Sequence, residues 1–388
     1  MTKKNNVAKV EQPDKVPSTN PLVYRFVVVG DIHLRRTDPL GIIEEDGLNT
    51  RLKDKIQTLQ TSVQYACSNN ATHLVFLGDI FDAINPPEWL KKLFWETVEP
   101  ALTQNIQIRI IIGNHDRTGL TYNFSGDDII KPENVKIFPN AAYFENYKLP
   151  NRAEDFVVQY VPYKKREGII SELTSSPDML FGHFEIEGAE LAPDNTQMRQ
   201  GIDRKDVHGR LIWLGHIHKF QEFRPGFAYI GSCVKCDFGE VNNTKFFGKV
   251  DVYSDGQLKI QYIELPQRPM YQYDVQEDDP NNLYISENIP KELKQPGILV
   301  KFQFIGSHEW VKSIDKNRFR KRFKNALRIE CTDRKVDGDR KKTEVFNTSK
   351  MEDRVHFHVT EKKKGKEYLA AGLELAKIAQ AKAEEVEV

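Results

Sequence analysis

Short apolar runs, most of which end on a glycine, alternate with segments of helical periodicity in the first third of the chain. The runs occupy 22–30, 73–78 and 106–113, and apolar residues near helical spacing fill 52–67 and 86–102. A run of this length suits a buried strand, and a strand that alternates with helices predicts parallel βαβ units. The pattern therefore predicts an α/β layered domain.

The following part of the chain is richer in extended segments. Their short apolar and β-branched runs predict strands at 155–161, 179–182, 211–215, 227–232, 249–254 and 258–265. After Leu265 the sequence becomes polar and turn-rich, which indicates a linker. One strand at 297–306 and a helix at 315–329 then predict a small α+β domain, which we place at 267–346.

The two ends of the chain differ from this pattern. Residues 1–21 have no apolar core, so they predict a disordered tail and not a signal peptide. Residues 347–388 are charged and include a predicted helix at 367–385, which Gly372 weakens. No run approaches the roughly 20 apolar residues of a membrane span.

Overall composition changes this picture little. Lys plus Arg and Asp plus Glu each number 56, so the net charge gives no indication of nucleic-acid binding. Four cysteines are too few for a disulfide scaffold and favour a reducing cytosol. The one CxxC, at Cys233 and Cys236, lacks the second pair that a structural zinc needs, so we interpret both as buried small residues.

Five glycine-ended apolar runs are each followed at once by residues with oxygen or nitrogen ligands. Small glycines permit tight turns there, and sites in α/β sheets form outside the carboxyl ends of strands. We therefore expect all five groups to meet at one rim. The residues are Asp31 and His33; Asp79 and Asp82; Asn114, His115 and Asp116; His183; and His216 and His218.

The chemistry of this set predicts a pair of metal ions. Carboxylates, one amide oxygen and several imidazoles suit Mn²⁺, Fe²⁺ or Zn²⁺ better than Ca²⁺ or Mg²⁺, which prefer oxygen ligands alone. One ion with four protein ligands would not use so many groups. Two ions about 3.5–4 Å apart that share a carboxylate would, and such pairs promote in-line phosphoryl displacement.

In chain order, GDIH, GDIFD, GNHD, GH and GHIH resemble the motifs of the calcineurin-like metallophosphoesterase superfamily over about residues 24–265. The resemblance implies a layered β-sandwich core flanked by helices at 22–266, followed by an α+β capping domain. It implies one ion on Asp31, His33, Asp79 and His218, and a second on Asp79, Asn114, His183 and His216. His115 would act on the phosphate or leaving oxygen, and Asp116 would orient His115.

Within the superfamily, GDIFD, FGHFEIEG and YIGS are most similar to SbcD-type nuclease subunits, in particular to bacteriophage versions. This similarity implies Mn²⁺-dependent 3′-to-5′ exonuclease activity on duplex DNA and endonuclease activity on single strands or hairpins. It also implies a cytoplasmic role in recombination and repair, as a homodimer within a heterotetramer that contains an SbcC-like coiled-coil ATPase. Helix 88–102 is a candidate for the twofold interface, and helix 367–385 either docks onto the ATPase or is a charged tail.

One position departs from the family pattern. Cellular relatives often have a second active-site histidine three residues after the bridging aspartate, where this chain has Asp82. Either His115 carries the leaving-group role alone, or Asp82 orients a metal ligand. The sequence does not choose between the two roles.

The predicted capping domain contains a strongly basic segment. Residues 311–328 carry eight positive charges against Asp315, and Phe319 and Phe323 lie four residues apart among them. The two Phe suit an amphipathic helix that packs into the domain, while basic residues on its outer face suit contact with DNA phosphates. The candidate DNA contacts are Lys316, Arg318, Arg320, Lys321, Arg322 and Lys324.

Two alternatives to a nuclease follow from the same residues. A phosphatase or phosphodiesterase for small or protein substrates would share the fold, but it has no need of the basic segment. A non-catalytic DNA-binding scaffold would not require seven intact ligands and His115.

Overall fold

The computed structural model describes residues 20–118, 121–124, 133–173, 175–191, 196–279, 283 and 289–335. The predicted tail before residue 20 and the predicted helix at 367–385 lie outside the described residues. No described helix combines the length and the apolar character that a membrane span requires.

Strands predominate over helices in the described chain. The helices are α1 (Thr50–Ser68), α2 (Glu88–Thr103), α3 (Arg166–Ile170), α4 (His308–Ser313) and α5 (Lys316–Arg322). The strands are β1 (Leu22–Val29), β2 (His73–Phe76), β3 (Gln107–Ile111), β4 (Arg117–Thr118), β5 (Thr121–Tyr122), β6 (Val135–Phe138), β7 (Tyr143–Tyr147), β8 (Phe156–Val161), β9 (Met179–His183), β10 (Glu190–Leu191), β11 (Thr196–Gln197), β12 (Leu211–Gly215), β13 (Gln221–Arg224), β14 (Phe227–Tyr229), β15 (Phe246–Tyr253), β16 (Leu258–Glu264), β17 (Met270–Gln276), β18 (Leu299–Gly306) and β19 (Arg328–Lys335).

Two six-stranded sheets form the core. Their strand orders are β16-β15-β1-β2-β3-β6 and β13-β14-β12-β9-β8-β7. The strands β1, β2, β3 and β6 are parallel, as are β8, β9, β12 and β14, and antiparallel strands lie at the edges. The carboxyl ends of the parallel strands in each sheet therefore share one edge.

The central strands are buried on both faces. On β1, Phe26 and Val28 belong to the core between the sheets, whereas Val27 and Val29 pack in the core under α1 and α2. This two-sided burial explains why the sequence shows continuous apolar runs and no alternation with polar residues. The expected layered β-sandwich flanked by helices is confirmed.

A three-stranded sheet, β17-β18-β19, forms the predicted α+β region together with α4 and α5. The predicted linker after Leu265 is wrong at Met270–Gln276, which forms β17 beside β18. Tyr271, Tyr273 and Val275 alternate there with exposed Gln and Asp, a period of two that the polar composition concealed. The domain boundary at 266 stays a prediction.

The predicted helix at 315–329 is also shorter than expected. It ends at Arg322, and Arg328 already begins β19. Ile329 and Cys331, two residues apart, pack against the same apolar core as Phe319, so strand periodicity replaces helical periodicity in this segment.

Candidate metal centre

The residues predicted as metal ligands all lie at the carboxyl ends of parallel strands. Both sheets of the sandwich contribute residues to the site. The five groups therefore meet where two sheets adjoin and not at the rim of one sheet. Asp31 and His33 follow β1, Asp79 follows β2, Asn114 follows β3, His183 ends β9, and His216 and His218 follow β12.

The first group of these side chains surrounds His33. Its Nε2 lies 2.9 Å from His218 Nε2, 3.7 Å from Asp79 Oδ2 and 3.9 Å from Asp31 Oδ2. Nε2 of His218 is also 3.9 Å from Asp31 Oδ2. Imidazole nitrogens and carboxylate oxygens this close together suit one divalent cation.

The second group surrounds His183. Its Nε2 lies 3.4 Å from Asp79 Oδ2 and 3.0 Å from Asn114 Oδ1, and His216 Nδ1 lies 2.8 Å from the same amide oxygen. Asp79 belongs to both groups. The structure therefore brings the predicted residues together in two groups that adjoin at this carboxylate, and their assignment as metal ligands stays a prediction.

The backbone of these loops is strained. His33, Asp79 and His216 have φ values of 52°, 49° and 89°, in the left-handed region that costs non-glycine residues energy. At Gly113, a Cβ atom would lie 2.1 Å from Asp79 Oδ1, so only glycine lets the β3 loop approach this carboxylate. Strain and close approach coincide at the candidate ligands.

Hydrogen bonds hold the imidazoles of the second group. Nδ1 of His183 lies 2.7 Å from the carbonyl oxygen of Leu77, which leaves Nε2 directed at Asp79. Nε2 of His216 lies 3.2 Å from Glu185 Oε1, a contact that the sequence motifs do not indicate. Burial lowers the pKa of His183, but the Asp79 carboxylate outweighs burial and raises that pKa to about 9.

A buried carboxylate, Glu240, holds His218. Its Oε1 lies 3.1 Å from His218 Nδ1, and its Oε2 accepts hydrogen bonds from Lys245 Nζ at 2.7 Å and from the Cys236 N–H at 2.9 Å. Both Glu240 and Lys245 are buried. Burial raises the pKa of Glu240, but His218 and Lys245 outweigh it and hold that pKa at about 2. No local motif links Glu240 to His218, so the sequence does not indicate this residue.

The two cysteines of the CxxC differ in their surroundings. Cys233 is fully buried, as expected. Cys236 is partly exposed and lies with His218 and Glu240 in a group whose ligand atoms are all within 4.8 Å of one another. Burial raises the pKa of the Cys236 thiol, but contact with His218 outweighs burial and lowers it.

His115 lies beside the two groups and is exposed. Its Nδ1 is 3.6 Å from Asp82 Oδ1, which in turn is 3.2 Å from His33 Nδ1. Asp82 also pairs with Arg35 at 3.1 Å. Burial raises the pKa of Asp82, but contact with His33 and Arg35 holds it at about 2. The Asp82 carboxylate therefore lies at ion-pair distance from both imidazoles.

The carboxylate of Asp116 contacts the loops that carry the candidate ligands. Its carboxylate accepts hydrogen bonds from the backbone N–H groups of Gly113, Ile80 and Phe81 and from the side chain of Asn123. Burial and the nearby Asp79 raise the pKa of Asp116 to about 7. It fixes the β2 and β3 loops to each other, and so positions His115 through the backbone.

The basic residues predicted to contact DNA fall into two sets. Arg318, Arg320, Lys321 and Lys324 are exposed. Lys316 pairs with Asp333 at 2.7 Å, and Arg322 donates to the Leu283 carbonyl at 2.7 Å. Phe319 and Phe323 are buried in the core of this region, as their spacing predicts.

Residues 24–220 match the family model of the calcineurin-like phosphoesterases. The chain belongs to this family. The chain is 26% identical over 254 residues to the SbcD component of the nuclease SbcCD of Staphylococcus epidermidis, a match to 59% of this chain and 67% of that protein. It is 24% identical over 277 residues to DNA double-strand break repair protein Mre11 of Thermoplasma acidophilum, with 62% and 67% covered.

Among solved structures, a dimetal phosphatase from Danio rerio matches with a TM-score of 0.35 and 13% identity, over 63% of this chain and all of that one. The expectation of a metal-dependent phosphodiesterase, similar to SbcD-type nucleases, is confirmed by the family model and the two relatives. The bacteriophage origin stays a prediction.

The side chains of this phosphoesterase fit divalent cations. Asp31, Asp79 and His183 are buried, Asp79 Oδ2 lies 3.4 Å from His183 Nε2, and Asp31 Oδ2 lies 3.9 Å from His218 Nε2. Buried carboxylates gathered in this way need positive charge nearby. Carboxylate, amide and imidazole ligands together favour a first-row transition metal over Ca²⁺.

We expect Glu240→Gln to weaken cation binding by His218 and its neighbours about ten- to hundredfold, because the carboxylate that orients the imidazole is lost. Calorimetric titration with Mn²⁺ measures the effect, and circular dichroism checks the fold. Glu264→Gln, at an exposed carboxylate, is the matched control. Equal affinities in both variants would show that Glu240 does not support the ligand.

Proposed function

We propose that this protein is a DNA nuclease that uses two divalent cations, most favourably Mn²⁺, in DNA end processing, recombination and repair. The observation that carries the proposal is the pair of ligand groups that share Asp79. The printed names of the two relatives, a nuclease component and a double-strand break repair protein, support DNA as the substrate.

In this proposal, Asp31, His33, Asp79 and His218 hold one cation. The other is held by Asp79, Asn114, His183 and His216. When bound, such a pair supplies an activated water and neutralises the phosphate oxygens.

The protein's own residues complete the site. His115 is exposed enough to reach a phosphodiester and is the candidate proton donor to the leaving oxygen. Asp82 restrains its imidazole, and Asp116 fixes the loop that carries it. The proposed role of Asp82 thus combines orientation of the ligand His33 with support of His115.

Incubation of the protein with Mn²⁺ and end-labelled duplex, hairpin and single-stranded DNA tests the function, with p-nitrophenyl phosphate esters in parallel. We expect 3′-to-5′ shortening of duplex and cleavage of hairpins. His115→Asn should lower the rate about 10²- to 10⁴-fold, because a positioned proton donor is lost, while Mn²⁺ affinity is kept.

Other outcomes of this assay identify the alternatives. Cleavage of the small esters alone indicates a phosphatase or phosphodiesterase for small or protein substrates. No cleavage with Mn²⁺, Fe²⁺ or Zn²⁺, in the presence of bound DNA, indicates a non-catalytic DNA-binding scaffold.

The exposed basic residues of the capping region are proposed to bind DNA phosphates. Replacement of Arg320, Lys321 and Lys324 by Glu should weaken DNA binding and lower the slope of log K against log salt by about 2–3, since each lost phosphate contact removes about 0.9. Fluorescence anisotropy at several salt concentrations measures the slope. Exposed Lys92, Lys148 and Lys205 replaced by Glu form the control, and equal slopes in both triple variants would exclude this contact.

The ATPase partnership is proposed to depend on residues 347–388, which lie outside the described residues. Truncation after residue 346 should abolish capture of an SbcC-like coiled-coil ATPase in a pull-down, while hydrolysis of small esters continues. Retained capture would rule out docking by this segment.

A homodimer within a heterotetramer, in the cytoplasm of a cell or of a phage host, completes the proposal. On the candidate interface helix α2, Leu90, Phe94 and Val98 are buried in the core. Trp89 is 40% exposed. The apolar pattern of α2 is therefore explained mostly by core packing, and Trp89 is its largest exposed side chain for contact with a second copy.

A further inference from the structure

Two adjoining cavities lie at the entrance to the metal centre. One, of about 540 Å³, contains His33, His115 and His218 in its lining. The other, of about 950 Å³, lies between the turn that includes Phe238 and the face of β17 and β18. Both are lined by Phe238, Gly239 and Lys301, so the larger cavity continues from the metal cavity along the β17-β18-β19 sheet, the capping sheet.

This face of the sheet is polar. Val300, Phe302 and Phe304 pack into the core of the capping region, which places Lys301 and Gln303 on the opposite face. In the parallel register, Gln272 pairs with Lys301 and Asp274 pairs with Gln303. A row of amide side chains and an ammonium group thus leads away from the metal centre, with Asp274 at its outer part.

Lys301 differs from the other basic residues of the two cavities. Arg35 pairs with Asp38 and Asp82, Lys55 donates to the His33 carbonyl, and Lys235 donates to the Val241 carbonyl. Within the described chain, no carboxylate lies at ion-pair distance from Lys301 Nζ. Glu330 lines the same cavity but is not paired with it at that distance. The Lys301 ammonium is therefore available to an incoming phosphate.

The dimensions favour an unpaired strand over a duplex. A cavity of about 540 Å³ is too small to enclose B-form DNA, whose major groove alone is about 12 Å wide. A single strand with splayed bases is thinner, and proteins bind such strands in positively charged grooves with polar and aromatic linings.

We propose that the larger cavity takes an unpaired DNA strand on its way to the metal centre, and that Lys301 binds a backbone phosphate next to the one that is cleaved. The contact neutralises phosphate charge and does not select a sequence. This inference rests on the proposed nuclease function and names the substrate path to the same site.

Fluorescence anisotropy of a labelled oligothymidine, with chelator present to prevent cleavage, tests the contact. Between about 50 and about 200 mM salt, Lys301→Met should lower the slope of log K against log salt by about 0.7, the value for one phosphate contact to a single strand. Lys294→Met removes the same charge from an exposed position of the capping region and should leave the slope of the wild type.

Kinetics with Mn²⁺ give a second measurement. Lys301→Met should raise KM for the oligothymidine about fivefold more than it raises KM for bis(p-nitrophenyl) phosphate. This ester is too small to extend from the metal centre into the larger cavity. Equal salt slopes for Lys301→Met and Lys294→Met overturn the inference. So does an equal loss of slope on duplex DNA closed by hairpins at both ends, which offers little unpaired strand.

Failure of the nuclease function gives a different result. In that case the wild-type protein hydrolyses bis(p-nitrophenyl) phosphate but neither binds nor cleaves any DNA. If the wild type cleaves DNA and Lys301→Met has the same salt slope and KM as Lys294→Met, the nuclease function is supported. The assignment of the larger cavity to an unpaired strand is then wrong.

Discussion

The buried carboxylate of Asp79 is the point at which the loops of both sheets meet. Its Oδ1 accepts the His115 N–H at 2.9 Å, and its Oδ2 lies 3.4 Å from His183 and 3.7 Å from His33. Its backbone carbonyl accepts the N–H groups of Ile32 and His33. Burial raises the pKa of Asp79, but the surrounding imidazoles outweigh burial and lower it, so the group carries a charge. A buried charge without partners is strongly destabilising, which is why these loops must converge together.

This convergence has a cost in the backbone. Left-handed φ values at His33, Asp79 and His216 cost on the order of 1–3 kcal/mol each, and they persist only where the surrounding structure enforces them. Here the enforcement comes from the apolar cores on both faces of each sheet, which bury the strands up to their last residues. The ligand atoms are thus brought together by folding itself, and a cation meets side chains already in position.

Sequence patterns were sufficient to predict the position of a candidate site residue wherever that residue directly follows a strand. Glycine-ended apolar runs indicated the strand, its carboxyl end and a candidate ligand in one segment, so the sequence was enough to place all seven candidate ligands at strand ends. Glu240 could not, since it reaches His218 only through the tertiary fold. The contacts of Asp116 could not be predicted for the same reason, since its carboxylate accepts hydrogen bonds from backbone groups of both the β2 loop and the β3 loop. Strand β17 was missed because its Tyr, Gln and Asp residues have the polar composition of a linker, which concealed the alternation of buried and exposed positions.

The capping sheet and the metal centre depend on one short segment of the chain. Phe238 packs with Leu40, Met270 and Leu299, which attaches the capping sheet to two loops of the sandwich. Two residues later, Glu240 contacts His218. A bidentate ion pair of Arg268 with Asp54 fixes the start of the same sheet to α1. One turn, which includes Phe238 and Glu240, therefore contacts both the capping sheet and His218. This turn determines where a DNA strand bound along the capping sheet lies relative to the His218 imidazole.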